Sequence, residues 1–148
     1  MEVVFQIGLH RKDLELLISI QDYFGGVGTI SNTSKDVYAF RVSSPKHLLN
    51  KILPHFYKYK LITQKQADYV LFKQIVMLIE QGKHLNKEGI QEIINIRASL
   101  NLCLSDLQKI SFPKTIPVIR PSVPLPYKPH PEWLAGFIRG ERCFFLLV

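Results

Sequence analysis

Cysteine is nearly missing from this chain: Cys103 and Cys143 are the two present in 148 residues. They are too few and too far apart for a disulfide framework or a zinc site, so two buried free thiols are expected. Acidic residues are scarce as well, with Asp+Glu 12 against Lys+Arg 19, for a net charge of +7. That balance suits a polyanion-binding surface, although basic charge alone also occurs in small proteins that bind nothing in particular. No apolar run approaches the ~18 residues of a membrane helix, so no membrane partner is expected. His10, His47, His55, His84 and His130 show no ligand spacing, and neither a glycine-rich phosphate loop nor a nucleophile triad stands out. Proline hardly occurs before Ser111, where only Pro45 and Pro54 are found. The N-terminus, Met1 to Phe5, is neither a basic presequence nor a signal peptide; it reads as a strand from its first residue, as the interior of a folded unit would.

What is present is an ordinary globular balance, 47% hydrophobic and 21% charged, with regular spacing. Val3, Phe5, Ile7 and Leu9 lie on one face, and Glu2, Gln6 and His10 on the other with Val4 and Gly8. Period two with one apolar side predicts a strand on a half-covered sheet. Asp13 can cap a helix striped by Leu14, Leu17 and Ile18, with Leu16 and Ile20 beside them and Gly25 and Gly26 as its stop. A hairpin follows, with Val27 to Ser31 as one arm, Asn32 to Asp36 as the turn and Val37 to Ser43 as the other arm. On that second arm Tyr38, Phe40 and Val42 face one way, and Val37, Ala39, Arg41 and Ser43 the other.

Ser44-Pro45 starts a helix striped by Leu48, Leu49, Ile52, Leu53 and Phe56, interrupted or kinked at Pro54. Thr63 with Gln66 has the spacing of a capping box. The helix behind it carries Ala67, Val70, Leu71, Ile75, Leu78 and Ile79 and ends near Gly82. Asn86 can cap a further helix with Ile90, Ile93, Ile94, Arg97 and Leu100. These stripes are core rather than cofactor contacts. Seven of the nine prolines lie from Ser111 to Pro131, which excludes a regular helix there and predicts an extended linker of polyproline character. The organisation expected is therefore residues 1–110 as a folded unit, 111–131 as a linker, and 132–148 as a helix with the start of a strand.

That last helix is the most informative stretch. Ala135, Gly136 and Gly140, set among large residues, offer a face bearing little side chain, and two such faces can bring helix backbones closer than the usual ~8–10 Å. Glu141 follows at the helix end, where a carboxylate meeting its twin from a second helix would make a divalent-metal site. Leu134 to Arg142 resembles the nine-residue motif of LAGLIDADG homing endonucleases, in particular the fungal mitochondrial, intron-encoded branch. Residues 5–13, residues 61–69, and Lys83-His84-Leu85 followed by Gly89-Ile90 support the resemblance in the family's order, so it covers nearly the whole chain.

The resemblance implies an α+β fold. It would be one LAGLIDADG half-domain, an antiparallel sheet with helices on one face, here lacking the first motif helix and first strand. It implies a metal-dependent DNA endonuclease, a hydrolase, with Glu141 as catalytic acid and metal ligand, the Gly140 carbonyl as second ligand, Mg²⁺ as cofactor and Lys65 near the scissile phosphate. Leu134, Ala135, Gly136 and Phe137 would form the helix interface. Gln6, His10, Thr29, Ser31, Arg41 and Ser43, with Lys35 at the turn, would face nucleic acid, because a β-ribbon can enter the major groove.

Two positions depart from the motif: Arg139 stands where the first acid is usual and Arg142 where the last glycine is. Either guanidinium can pair with Glu141 and occupy the charge a metal would use. The expectation is a remnant or split part of such an endonuclease, binding nucleic acid but not cleaving alone. The alternative is a non-catalytic structural or RNA-binding component of a mitochondrial ribonucleoprotein, a ribosome or intron-splicing complex. In both cases a second protein chain, a second copy or a ribonucleoprotein scaffold is expected over the motif helix and the open strand edge.

Overall fold

The computed structural model describes residues 2–101, 103–124 and 128–141, the side chains of 137–141 excepted. Three strands form one antiparallel sheet: β1 (Phe5–His10), β2 (Thr29–Ser34) and β3 (Val37–Val42), in the order β1-β3-β2. β3 is therefore central, and β1 has an edge with no strand on it among the described residues. The strand starts at Phe5 rather than at the first residue; Val3 instead tucks into the core, 8% exposed.

The two-residue period settles the register. Phe5 sits opposite Val42, and Ile7, Phe40 and Ile30 form one row on the core side. The hairpin is tighter than its sequence suggests. Asn32 to Ser34 belong to β2, and Ser34 already pairs with Val37 around Lys35 and Asp36. A bulge between Asn32 and Ser34 absorbs the odd residue, with the Thr33 hydroxyl donating to the Val37 carbonyl (3.2 Å). Gly28, at φ +80°, leads into β2, where a Cβ would fall 2.4 Å from the Arg41 carbonyl oxygen. Any side chain there would push the hairpin apart.

Helices cover one face only. They are α1 (Leu14–Tyr23), α2 (Pro45–His47), α3 (Leu53–Lys58), α4 (Lys65–Glu80), α5 (Lys87–Arg97), α6 (Asp106–Ser111) and α7 (Pro131–Glu141). α2 and α3 are joined by a π-helical turn, Leu48–Ile52, in which the Leu53 N–H donates to the Leu48 carbonyl. Pro54 has no N–H to offer the preceding turn, and the wider i→i−5 spacing accommodates that without breaking the helix. Phe40, Leu17, Leu48 and Val76 are fully buried beneath this layer, and Phe24 stacks on Phe40 with centroids 6.2 Å apart. Ile18, by contrast, is 45% exposed: α1 lays a narrow seam along Leu17 and Phe24, and Ile18 turns away from it.

The capping signals divide. Asn86 accepts from the Gly89 N–H at 2.7 Å, as its position predicts. Thr63 and Gln66 do not close a box: Thr63 Oγ1 accepts from the Lys65 N–H, while Gln66 Oε1 reaches back to the Leu61 N–H. A complete box exists elsewhere, at Ser105 and Gln108, and it opens α6, which had no apolar stripe to announce it. Cys103 is exposed rather than buried; Cys143 lies outside the described residues. Among the described residues no helix is long and apolar enough to cross a membrane.

Between Ser111 and Pro131 the described residues form no helix or strand, yet residues 115–120 are fastened along α5. Asn95 Oδ1 accepts from the Ile116 N–H (3.1 Å), and the Asn95 carbonyl accepts from the Val118 N–H (3.3 Å). The Ser99 hydroxyl donates to the Val118 carbonyl at 2.6 Å. Arg120 closes the strap, pairing with Asp68 at 2.9 Å and donating to the carbonyls of Ser99 (2.7 Å) and Gln64 (3.1 Å).

Candidate nucleic-acid interface

The uncovered face of the sheet follows from the same alternation that builds the core. Phe40 and Val42 point into the helices at 0% and 1% exposure, so Arg41 between them must point out. Register places Gln6 and Thr29 on either side of it, giving an exposed row Gln6–Arg41–Thr29 across three strands. Strands are ~4.8 Å apart, so such a row spans about 10 Å, comparable to the ~12 Å width of a major groove. The next row, Gly8–Ala39–Ser31, has small side chains, and Ala39 at its centre is fully buried between its neighbours.

Arg41 is half-exposed and its nearest carboxylate oxygen, Glu2 Oε2, is 4.0 Å away, a separation at which solvent screens the pair. The guanidinium keeps donors available. His10 lies at the end of β1 and its Nδ1 accepts from the Lys12 N–H at 3.2 Å. It thereby caps a short 3₁₀ turn, Arg11–Asp13, with only its other ring nitrogen free for a ligand. Lys35 is exposed at the hairpin turn, and Ser43 is exposed just beyond β3. Sequence reasoning passed over Arg11, which pairs with Asp36 at 3.2 Å and ties the end of β1 to that turn; the basic pair after an amphipathic strand was the available signal.

Lys65 is not on this face. It stands exposed at the start of α4 and lines an open hollow of about 500 Å³ at the β1 edge. Gln6, Phe5, Leu61, Phe72 and Leu100 line the same hollow, so the fold brings Lys65 near one end of the polar row. Tyr69, at its floor, donates to the Leu53 carbonyl at 3.0 Å, and burial followed by the neighbouring Tyr57 raises its pKa.

The motif helix α7 begins with Pro131 at its first position, where the missing N–H is harmless. Leu134 is 43% exposed, Ala135 is exposed, and an added Cβ on Gly136 would meet nothing within 4 Å. The side chains of Phe137 and Glu141 lie outside the described set, as does Arg142. Among the described residues no three His, Cys, Asp or Glu groups converge to hold a metal. A lone carboxylate at Glu141 with arginines at 139 and 142 in sequence is by itself a poor donor set for a divalent cation.

The family model described as LAGLIDADG endonuclease matches residues 1–76. "Probable intron-encoded endonuclease 2" of Neurospora crassa is 46% identical over 155 residues, covering 97% of this chain and 34% of that protein. "Probable intron-encoded endonuclease 3" of the same fungus is 41% identical, covering 97% and 27%. Among solved structures, I-SmaMI bound to an uncleaved DNA target in the presence of calcium ions superposes with a TM-score of 0.89 at 38% identity, covering 94% of this chain and 47% of that one. The meganuclease I-CpaMI bound to uncleaved DNA gives 0.88 at 45% identity, again covering 94% and 47%. The chain thus spans about a third or less of these curated relatives and about half of the solved chains. With a family model over half of the chain and relatives above 40% identity over 97% of it, the chain belongs to the LAGLIDADG endonuclease family.

Proposed function

We propose that this chain is a nucleic-acid-binding half of an intron-encoded mitochondrial homing endonuclease, laying its bare sheet face on duplex DNA. The row Gln6–Arg41–Thr29 carries the reading: three polar side chains from three strands, all exposed among the described residues. Ser31, Ser43, Lys35 and the free nitrogen of His10 extend it. Residues 1–110 form the binding unit, 111–131 the linker, and 132–148 the second motif with its following strand.

Alone, this polypeptide binds without cutting. Glu141 supplies one carboxylate where hydrolysis needs one from each of two motif helices, with the Gly140 carbonyl beside it and Mg²⁺ held only once a second acid arrives. Arg139 and Arg142 flank that acid in sequence and compete for its charge. They also favour the second reading, a non-catalytic component of a mitochondrial ribonucleoprotein. A second protein chain, a second copy or a ribonucleoprotein scaffold covers the Leu134–Gly136 face of α7 and the β1 edge, since among the described residues no strand pairs with that edge and Leu134, Ala135 and Gly136 are exposed.

Duplex affinity, measured against salt, should fall steeply as counterions are released. Arg41→Ala should remove about 1–3 kcal/mol of binding with the fold intact; unchanged affinity would take the sheet out of consideration. Metal-dependent cleavage of an intron-insertion sequence with Mg²⁺ or Mn²⁺, abolished by Glu141→Gln, would refute the inactivity.

A further inference from the structure

The bare face of the sheet has an arginine near each end, and the two are held differently. Arg41, in the row with Gln6 and Thr29, has its nearest carboxylate oxygen 4.0 Å away on Glu2. Arg11, where β1 ends against the hairpin turn, is already committed. Its N–H donates to the Asp36 carbonyl at 2.8 Å, one step beyond the last ladder pair, His10 and Val37. Its Nε donates to Asp36 Oδ1 at 3.2 Å, so main chain and side chain fasten the same two residues.

Exposed pairs of this kind contribute little to stability, and neither residue belongs to the core. What the pair changes is charge. Side-chain exposures of 63% for Arg11 and 43% for Asp36 leave both within reach of a ligand. Lys12 and Lys35, their exposed neighbours in sequence, stay basic beside them. Arg41 and Val37 are four positions apart on β3, ~13 Å at ~3.3 Å per residue. Strands laid along a groove therefore carry the turn past about four base-pair steps of ~3.4 Å, with phosphates flanking every step.

A free guanidinium at that turn would attract any duplex, because phosphate contacts carry no sequence information. Discrimination is a difference of affinities, and it grows when attraction to the wrong sequence is lowered. We propose that Asp36 is a specificity-determining residue of the duplex-binding face: by holding Arg11 it lowers the hairpin turn's attraction for phosphates of any sequence. It acts through Arg11, as a positioning residue. The proposal rests on the reading of the sheet as that face.

The test titrates salt against binding of the full chain to a short, fluorescein-labelled DNA duplex of random sequence. Asp36→Asn keeps the side chain's shape, in a turn position that Asn suits, and frees the Arg11 charge. It should tighten binding and steepen the slope of log affinity against log salt by about 0.9, the value of one phosphate contact. The gain over the parent should thus grow about threefold as salt falls from about 0.2 M to about 0.05 M. Asp36→Ser, likewise uncharged and suited to a turn, should behave the same way. Arg11→Gln should instead weaken binding, and added to Asp36→Asn it should cancel the gain. A merely structural clasp would weaken binding in every one of these variants; that outcome, or an unchanged slope in Asp36→Asn, would overturn the proposal. Preference for an intron-insertion sequence over the random duplex should fall in Asp36→Asn, and an undiminished preference would overturn the role in specificity. Arg41→Ala separates this proposal from the reading of the sheet. Weaker binding there with no change in Asp36→Asn keeps the sheet and removes the clasp. Parental binding in Arg41→Ala, with the Asp36 and Arg11 variants shifting in opposite directions, removes the sheet and leaves Asp36 as a brake on phosphate binding at the turn.

Discussion

The sheet reaches the helical layer through Phe5, Phe40 and Val42; the strap of residues 115–120 reaches it through Asn95, Ser99 and Arg120. Both segments end in a defined place, but different forces hold them. The sheet is fixed by apolar surface that water drives inward, a force without direction, made specific by the two-residue period. The strap has one apolar anchor, Val118, while Ile116 and Ile119 are 74% and 95% exposed. Direction comes instead from hydrogen bonds to Asn95 on α5 and to Ser99 just past its end. Seven prolines in the Ser111–Pro131 stretch lower the entropy lost on fixing such a chain, because their φ angles are already set. A proline-rich linker can therefore be a structural part rather than a tether.

The sharpest way to break the comparison is to remove the sheet's anchor. Phe40→Ala deletes a fully buried ring between Phe24 and Phe5, and should destabilise the protein by about 3–5 kcal/mol. Denaturant unfolding should show sheet and strap lost in one transition, since the strap's partners sit on helices the core holds. A strap that stayed protected would mean that it folds with α4 and α5 alone.

Arg120→Ala is the complementary change. It removes the ion pair to Asp68 and the donors to two carbonyls, in a side chain 31% exposed facing one 19% exposed. About 1–2 kcal/mol is expected, confined to the strap. Hydrogen exchange should quicken roughly tenfold at the Ile116 and Val118 amides with β3 unchanged. Quickening throughout β3 as well would show that the strap supports the sheet.

The smallest effect belongs to pH. Burial lowers the His55 pKa below its ordinary value, so the folded state resists a proton that the unfolded chain accepts. That contribution to stability is present above the unfolded histidine pKa and is lost as pH falls from about 6.5 toward the lower folded value. Thermal stability should thus be lower at pH 5 than at pH 7.5, and His55→Gln should remove part of the difference. An unaltered pH profile in that variant would assign the acid sensitivity elsewhere.

Much of this architecture could be read in advance where the chain repeats a signal. The β1 alternation, the α4 and α5 stripes and the Asn86 cap were all legible, because each rests on residues within one or two turns of one another. The errors fell where two local patterns look alike. Thr63-x-x-Gln66 and Ser105-x-x-Gln108 share a spacing, yet only the second closes a box, because Gln66 found the Leu61 N–H first. Ile18 has helical spacing but faces water, since the width of the buried seam is set by the partner surface rather than by the helix.

The sequence by itself determined the alternating faces, the helix stripes and the motif from Leu134 to Arg142, and with them the family. These are properties of neighbours, imposed by the fixed periods of strand and helix. Only the tertiary structure decided that Gln6, Arg41 and Thr29 share one row, that Lys65 and Gln6 line the same hollow, and that Arg120 reaches back 56 positions to the Gln64 carbonyl. Register and long-range hydrogen bonds join segments whose separation along the chain carries no period, so they exist only once the core has brought those segments together.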